Sequence, residues 1–338
     1  MIRQHTGGLD LNIIKKSSLA RMYKDCRHHI DESYAELRLI RAACSADSDA
    51  AAALFHEKKL FGGMPCAVDT PYRRYEGIAG IRDFAAEFMG VFNASAAEVI
   101  PVIQTRANGR SVTEVQVDFT TPDGLWQVPF FVVADLRTQD TLDEVRIYTH
   151  CSFVPGLQAY RKPIFKPAYL EVGDPGVLTG AVREYYEALH HWPHADVDRI
   201  LNALEPECKF GGYEPDDDST TTAETHAAIR KKFERMSEYI PRCVAMRYET
   251  IIDNGYTCVI EWVHIVSRAG QEERARIALS GIAAYERGAD GRLCSIRISD
   301  YANLERTIDW SKLDITEEEA KAINFVEVYP AKVGTKRL

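Results

Sequence analysis

The sequence predicts an α+β protein that contains two tandem copies of one domain. Short patterns recur in one order along the chain: Phe61-Gly62-Gly63 returns as Phe210-Gly211-Gly212, Asn108-Gly109 as Asn254-Gly255, and Val145-Arg146-Ile147 as Ile296-Arg297-Ile298. The offsets are 149, 146 and 151 residues. A period of that length is the size of a domain and not of a solenoid repeat. In each copy helix signals precede strand signals, which is an α+β order.

The first copy, residues 34–153, opens with three predicted helices. The first starts near Tyr34 and carries Leu37, Ile40 and Cys44 on one stripe. Asp47 is a favourable N-cap for a second helix that runs to Phe55. The third has four apolar residues at helical spacing: Ile81, Phe84, Phe88 and Phe92.

Four strands are predicted to complete the first copy. They cover residues 99–105, 111–119, 126–136 and 142–153. The Asn108-Gly109 pair between the first two is a hairpin signal. A strongly curved antiparallel sheet of this kind can wrap around the third helix and leave a conical pocket, the usual place for a small-molecule site.

The second copy, residues 180–308, repeats this plan. Its helical stripes contain Val182, Tyr185, Tyr186 and Leu189, and then Ile229, Phe233, Met236 and Ile240, with Asp196 as the N-cap between them. Its strands are predicted at 243–252, 257–266, 274–286 and 292–301.

Three segments lie outside the two copies. Residues 1–33 are predicted to form a helical extension, residues 154–179 a Pro- and Gly-rich linker, and residues 309–338 a charged tail.

Composition disfavours several classes of partner. The net charge is −9 and no Lys/Arg-rich run occurs, which disfavours nucleic acid and anionic membranes. No stretch reaches the roughly 18 apolar residues of a membrane span. The N-terminal residues lack the apolar core of a signal peptide, so we expect a cytoplasmic protein. The eight cysteines contain no CxxC pair and are expected to be reduced.

Longer segments carry a resemblance to a known family. In the second copy they are VREYYEAL, ADVDRIL, FGGY, HAAIRKKF, DNGYTCVIEWVHI and LCSIRISDYANL; in the first they are YEGIAGIRDF, RANGRSVTEVQVDF and LDEVRIYTHCSF. With them the chain resembles the SnoaL-like branch of the NTF2-like superfamily. The resemblance implies two tandem cones, each a curved antiparallel sheet wrapped around helices, packed pseudo-symmetrically back to back. Such proteins include cofactor-free dehydratases, isomerases, cyclases and lyases, and others that only bind ligands or partners.

The resemblance also implies where site residues should lie. Asp300 occupies the position of a frequent family aspartate at the end of the last strand, and Thr149 followed by His150 takes that place in the first copy. The paired histidines common in the family after the third helix are absent, and Val99 and Ala245 lie there instead.

Strand alternation suggests further acid–base candidates. His264 alternates with Ile260 and Trp262, and the hairpin offset of 146 makes Asp118 its counterpart. Either group could transfer a proton. The alternative is that both belong to a polar ladder on the outer face of a sheet, where such domains pair.

The last strand of each copy is polar. Arg146, Tyr148 and His150 alternate in the first copy, and Arg297 and Tyr301 alternate in the second. In a pocket, Arg would stabilise an oxyanion while Tyr or His donates a proton. Because both arginines recur, a shared structural ion pair is the alternative.

Aromatic residues are the candidates for substrate binding. Tyr186 on the first helix of the second copy could donate a hydrogen bond, although a core tyrosine at helical spacing is common. Tyr72 and Tyr75 lie in the loop before the third helix and could cover an aromatic ligand, the alternative being a plain exposed loop. Trp126 and Trp262 lie on strands.

No cofactor or metal is predicted. The chain has no dinucleotide, P-loop or nucleophile-elbow motif. The cluster His190, His191 and His194 contains Pro193, which breaks the helix that would align it for a metal.

Two functions follow from these observations. The first is a cofactor-independent lyase, dehydratase or isomerase that acts on a hydrophobic, aromatic small molecule by acid–base chemistry. The second is a binding module for a small molecule or a protein. The fused pair could also form a further homo-oligomer.

Overall fold

The computed structural model describes residues 13–16, 30–58, 63–107, 109–149, 173–189, 195–211, 225–236, 243–267 and 276–299. The predictions for His190, His191 and His194, for residues 17–29 and for the tail lie outside these ranges.

The first domain has three helices, α1 (Ala35–Cys44), α2 (Ser48–Ala52) and α3 (Gly77–Val91). Its strands are β1 (Ile13–Lys16), β2 (Ala67–Asp69), β3 (Arg74–Glu76), β4 (Ala96–Ala107), β5 (Arg110–Thr121), β6 (Gly124–Thr138) and β7 (Thr141–Thr149). Residues 13–16, in the segment expected to be helical, form a strand that pairs with β6.

The second domain repeats the order. It contains the helices α4 (Gly180–Leu189), α5 (Val197–Asn202) and α6 (His226–Met236) and the strands β8 (Leu204–Gly211), β9 (Cys243–Asp253), β10 (Thr257–Ser267), β11 (Arg276–Arg287) and β12 (Leu293–Ser299). A short 3₁₀ turn, Pro175–Val177, precedes α4. No helix within the described ranges is long and apolar enough to cross a membrane.

Both sheets are mixed, whereas the sequence predicted antiparallel ones. The first has the order β3-β2-β7-β6-β5-β4, and the second β8-β12-β11-β10-β9. In each, a strand that precedes the third helix runs parallel to the last strand: β2 beside β7, and β8 beside β12. A parallel neighbour needs a long crossover connection, and the third helix with the strands after it provides one.

Each sheet holds its helices against its concave face. The predicted stripe of α3 is confirmed, since Ile81, Phe84 and Phe88 are fully buried. Phe92, just after the helix, stacks on Phe119 of β5 with 4.4 Å between ring centroids. Asp47 and Asp196 accept hydrogen bonds from Ala50 N and Arg199 N and so cap α2 and α5 as expected.

The convex faces of the two sheets pack against each other. An apolar cluster joins residues of both domains: Val102, Ile103, Val112, Phe131, Val133 and Tyr148 from the first, and Ile252, Val259, Ile282 and Ala284 from the second. The expected back-to-back packing is therefore confirmed.

Arg146 of β7 crosses this interface to Glu261 of β10. Its Nε and Nη2 donate to the two carboxylate oxygens at 2.7 and 3.0 Å. Its Nη1 donates to Asp135 in its own domain at 2.7 Å. Tyr148 and Thr250 donate to the same Glu261 carboxylate, each at 2.7 Å. Burial disfavours the Arg146 charge, but Asp135 and Glu261 outweigh it and raise the pKa of Arg146.

Arg297 of β12 makes the reciprocal contact. Its Nε and Nη2 donate to Glu114 of β5 at 2.7 and 2.9 Å, and its Nη1 donates to Glu286 at 2.6 Å. Both arginines are fully buried. Each domain therefore supplies one arginine and one glutamate to a pseudo-twofold pair of bridges, which is the isologous pattern of a symmetric dimer.

Removing one side of a bridge should destabilise the fold strongly. Arg146→Met leaves the Glu261 carboxylate buried without its cation, and such losses typically cost about 3–5 kcal/mol. Urea unfolding measures this change in the free energy of unfolding.

The matched control is Arg183→Met. Arg183 pairs with Glu187 on α4 with 58% and 40% of the two side chains exposed, and a bridge of that kind contributes about 0–1 kcal/mol. Equal losses for the two variants would contradict a structural role for Arg146.

Candidate functional site

Several predicted catalytic residues lie between the sheets and not inside a cone. Arg146, Tyr148 and Arg297 belong to the interdomain bridges, with the Tyr148 hydroxyl donating to Glu261. Their polar atoms point toward partner carboxylates across the interface. The shared structural ion pair, the alternative interpretation of the two arginines, is what the structure contains.

Asp118 also lies on the convex face, where the Gln116 and Gln127 side-chain amides donate to it. The sequence analysis paired Asp118 with His264 by an offset of 146 residues. The two bridges show that the offset between β5 and β10 is 147, because Glu114 and Glu261 take equivalent places in them. The hairpin lengths explain the difference, because two residues separate β4 from β5 whereas three separate β9 from β10. A shift of one residue moves a side chain to the opposite face of a strand.

The remaining acid–base candidates lie at the limits of the described ranges. His264 is in β10, opposite Leu279 of β11, but its side chain is not among those described. His150, Asp300 and Tyr301 fall outside the described residues, and their roles stay predictions.

The predicted binding aromatics divide between the cones. Trp126 is buried in the first core. Trp262 and Tyr186 lie in the second core, where the rings of Tyr186 and Tyr248 are 5.8 Å apart. Trp262 lies so close to Gly281 that a Cβ on that residue would be 2.6 Å from the indole. Because Gly281 has no side chain, the Trp262 ring can pack directly against its backbone.

The first cone contains a buried carboxylate that the sequence analysis missed. Glu36, in the first turn of α1, is 1% exposed. The hydroxyls of Ser111 and Thr113 on β5 both donate to its Oε1, the second at 3.0 Å. Within the described part of the chain, Oε2 has no hydrogen-bond partner.

The walls around Glu36 are apolar. Ser111 and Thr113 pair with Ala134 and Val132 of β6, which belong to the first core cluster. The arginines that follow on α1 do not reach the carboxylate, because Arg38 pairs with Asp140 and Arg41 with Glu32. Among the described residues no cation balances Glu36. A buried carboxylate without a cation is costly to fold.

The second cone does not repeat this group. The N-cap of the second helix donates to the end of the first helix in both copies: Asp47 N to Ala42 O and Asp196 N to Ala188 O, each at 2.8 Å. The two acceptors, Ala42 and Ala188, lie 146 residues apart, which aligns α1 with α4 at that offset. Val182 then takes the place of Glu36. With the offset of 147 between β5 and β10, Cys258 and Ile260 replace Ser111 and Thr113.

A sequence signal for Glu36 existed. It lies three, four and seven residues before Leu39, Ile40 and Ala43, all fully buried, and so interrupts an apolar helical stripe. The described residues contain no group of three or more side chains that could hold a metal ion.

The chain matches no protein-family model and no curated protein. It is similar to several solved structures. A protein with a ketosteroid isomerase-like fold from Catenulispora acidiphila, in complex with trimethylamine, is 14% identical over 34% of this chain and 88% of its own, with a TM-score of 0.29. An NTF2-like protein of unknown function from Burkholderia pseudomallei is 20% identical over 40% of this chain and 95% of its own, with a TM-score of 0.29.

A third is the epoxide hydrolase/cyclase-like enzyme SalBIII of pyran ring formation in salinomycin. It is 15% identical over 36% of this chain and 87% of its own, with a TM-score of 0.28. Each of these proteins spans about one third of this chain. The fold itself follows from the two sets of three helices, each held on the concave face of a mixed sheet. Both halves of this chain therefore form α+β cones in tandem, as the sequence predicts.

Proposed function

We propose that the first cone is an acid–base site for a hydrophobic, aromatic small molecule, and that Glu36 is its proton acceptor. The reaction class is isomerisation or elimination without a cofactor. The observation that supports it is a buried carboxylate with one oxygen held by two hydroxyls and the other without a partner in the described chain.

The arrangement suits proton transfer. Ser111 and Thr113 fix the carboxylate through Oε1 and leave Oε2 to meet the substrate. Oε2 takes a proton from an acidic carbon of the substrate, and the electron pair of the broken C–H bond moves into the adjoining conjugated system. Glu36 then returns the proton to another carbon, which completes an isomerisation, or to a departing oxygen, which completes an elimination.

The apolar surroundings assist this step. Glu36 is 1% exposed, and the strand beside its two hydroxyl partners contributes the apolar side chains of Val132 and Ala134 to the same core, so little water reaches the carboxylate. The same core contains the rings of Phe88, Phe119 and Phe130, which supports an aromatic substrate for the proposed site.

The binding-module alternative suits the second cone better than the first. At the three positions equivalent to the Glu36 group it has apolar or thiol side chains, Val182, Cys258 and Ile260. We propose that these three positions of the second cone serve packing or ligand binding and not proton transfer.

Replacing Glu36 should abolish proton abstraction. The probe is 5-nitrobenzisoxazole, an aromatic compound that a carboxylate base opens to a coloured phenolate by removing its ring proton. We expect Glu36→Gln to lower kcat/KM for this reaction by about 10²–10⁴-fold, the usual contribution of a general base. Absorbance of the phenolate follows the rate.

Glu98→Gln is the matched control, since Glu98 is an exposed glutamate on β4 of the same domain. It should keep the wild-type rate. Equal rates for wild type, Glu36→Gln and Glu98→Gln would contradict the proposed function.

The Glu36→Gln substitution should also stabilise the fold. The glutamine side chain can still accept the two hydroxyl hydrogen bonds but carries no buried charge, and relief of a functional compromise commonly raises stability by about 0.5–2 kcal/mol. Thermal and urea unfolding report the change. A carboxylate kept for structure alone would instead make Glu36→Gln less stable than wild type.

A further inference from the structure

Arg106 of β4 is a cation without an anion. Every other arginine whose side chain the structure describes has a carboxylate oxygen at 3.9 Å or less. Within the described ranges, Arg106 pairs with no carboxylate and its side chain donates no hydrogen bond. The chain has 50 Asp and Glu residues against 41 Lys and Arg, so carboxylates are in excess and a lack of partners does not explain this exception.

The register of β4 and β5 places Arg106 beside the Glu36 group. Arg106 pairs with Ser111, and directly opposite residues of an antiparallel pair lie on one face of the sheet with Cβ atoms about 4.5–5.5 Å apart. The Ser111 hydroxyl donates to Glu36 of α1, so this face is the concave one. The unpaired arginine therefore adjoins the buried carboxylate of the first cone.

Tyr34 holds the Arg106 guanidinium in place. The guanidinium carbon lies 4.5 Å from the centre of the Tyr34 ring. Gln104 fixes the segment before α1 to β4, because it accepts from Asp31 N at 2.7 Å and donates to Asp31 O at 3.2 Å. The ring attracts the cation through its face, but it accepts none of the N–H groups in the plane of the guanidinium.

The carboxylates of this segment have other partners. Asp31 accepts from the backbone N and the hydroxyl of Ser33 at 2.9 and 2.6 Å, and Glu32 pairs with Arg41. A local ion pair therefore does not complete the Arg106 site.

Arg73 shows how the chain completes a similar arrangement. Its guanidinium lies 4.6 Å from the centre of the Tyr75 ring. Its Nη1 also donates to both oxygens of Glu87, at 2.8 and 2.9 Å. At Arg106 the aromatic platform is present, and a ligand would supply the carboxylate.

The second cone has the opposite charge at this position. Cys258, the equivalent of Ser111, pairs with Asp253 of β9, so Asp253 takes the place of Arg106. Arg287 donates to both oxygens of Asp253, at 2.9 and 2.6 Å. The unpaired cation therefore occurs in the cone that contains Glu36 and is absent from the equivalent position of the other.

We propose that Arg106 binds the carboxylate of an aromatic acid in the first cone, beside Glu36. The planar guanidinium presents two parallel N–H groups, which match the two oxygens of a carboxylate. Its charge also offsets the repulsion between this ligand and the Glu36 carboxylate. The inference rests on the proposed function in placing the substrate in this cone, and it narrows that substrate to an aromatic carboxylic acid.

The test compares 2-naphthoate with 2-naphthamide, which has the same rings and no charge, by isothermal titration calorimetry on the full chain. The wild type should bind 2-naphthoate more tightly than 2-naphthamide. Arg106→Gln should weaken 2-naphthoate binding by about 10- to 100-fold, because hydrogen bonds to a charged group are lost. It should leave 2-naphthamide binding unchanged, which also shows that the variant is folded.

Arg82→Gln is the matched control. Arg82 lies on α3 of the same domain, is 52% exposed and pairs with Asp49, so its replacement should leave both affinities at the wild-type values. Glu36→Gln removes the adjoining negative charge and should tighten 2-naphthoate binding by about 3-fold or more.

Three results would overturn the inference: a wild type that does not prefer 2-naphthoate, an Arg106→Gln variant that keeps the preference or loses both ligands equally, and unchanged 2-naphthoate affinity in Glu36→Gln. Unchanged 2-naphthoate binding in Arg106→Gln, with loss of 5-nitrobenzisoxazole turnover in Glu36→Gln, would reject this inference and keep the proposed function. Selective loss of 2-naphthoate binding in Arg106→Gln, with unchanged turnover in Glu36→Gln, would reject the proton acceptor and keep the carboxylate site.

Discussion

Two buried arginine–glutamate bridges, exchanged between the convex faces of the sheets, constrain the rest of this protein. Arg146 reaches Glu261 and Arg297 reaches Glu114, and all four side chains are at most 1% exposed. Buried charges are tolerated only when they are paired and hydrogen-bonded, so the two sheets must stay in this register. The convex faces are therefore occupied, and the proposed small-molecule site lies on the concave side of the first sheet.

The constraint also explains what the two copies share. Positions that serve the interface recur, such as the two arginines and the two glutamates. Inside the cones the copies differ, with Glu36, Ser111 and Thr113 in the first and Val182, Cys258 and Ile260 in the second. In this chain repetition marks structural residues, whereas difference marks the candidate site. The same logic favours a structural ion pair for Arg146 and Arg297.

The sequence predicted elements well where one local signal dominates. Strand positions followed from alternation and Asn-Gly turns, and Asp47 and Asp196 cap helices as expected. It failed where distant segments meet. The parallel pairs β2–β7 and β8–β12 depend on crossover connections. One extra residue in the second hairpin shifted the match for Asp118 to the wrong face. Glu36 interrupts an apolar helical stripe, but its two hydroxyl partners come from β5, and the sequence alone does not bring that strand against α1.

A double-mutant cycle on Arg297 and Glu114 tests the central claim most directly. Each single replacement, Arg297→Met or Glu114→Leu, should lower the free energy of unfolding by about 3–5 kcal/mol, because it leaves a buried charge unpaired. The double replacement should recover most of that loss, with a coupling energy of about 0.5–3 kcal/mol or more. Additive losses would show that the two side chains do not act as a pair and would contradict the account.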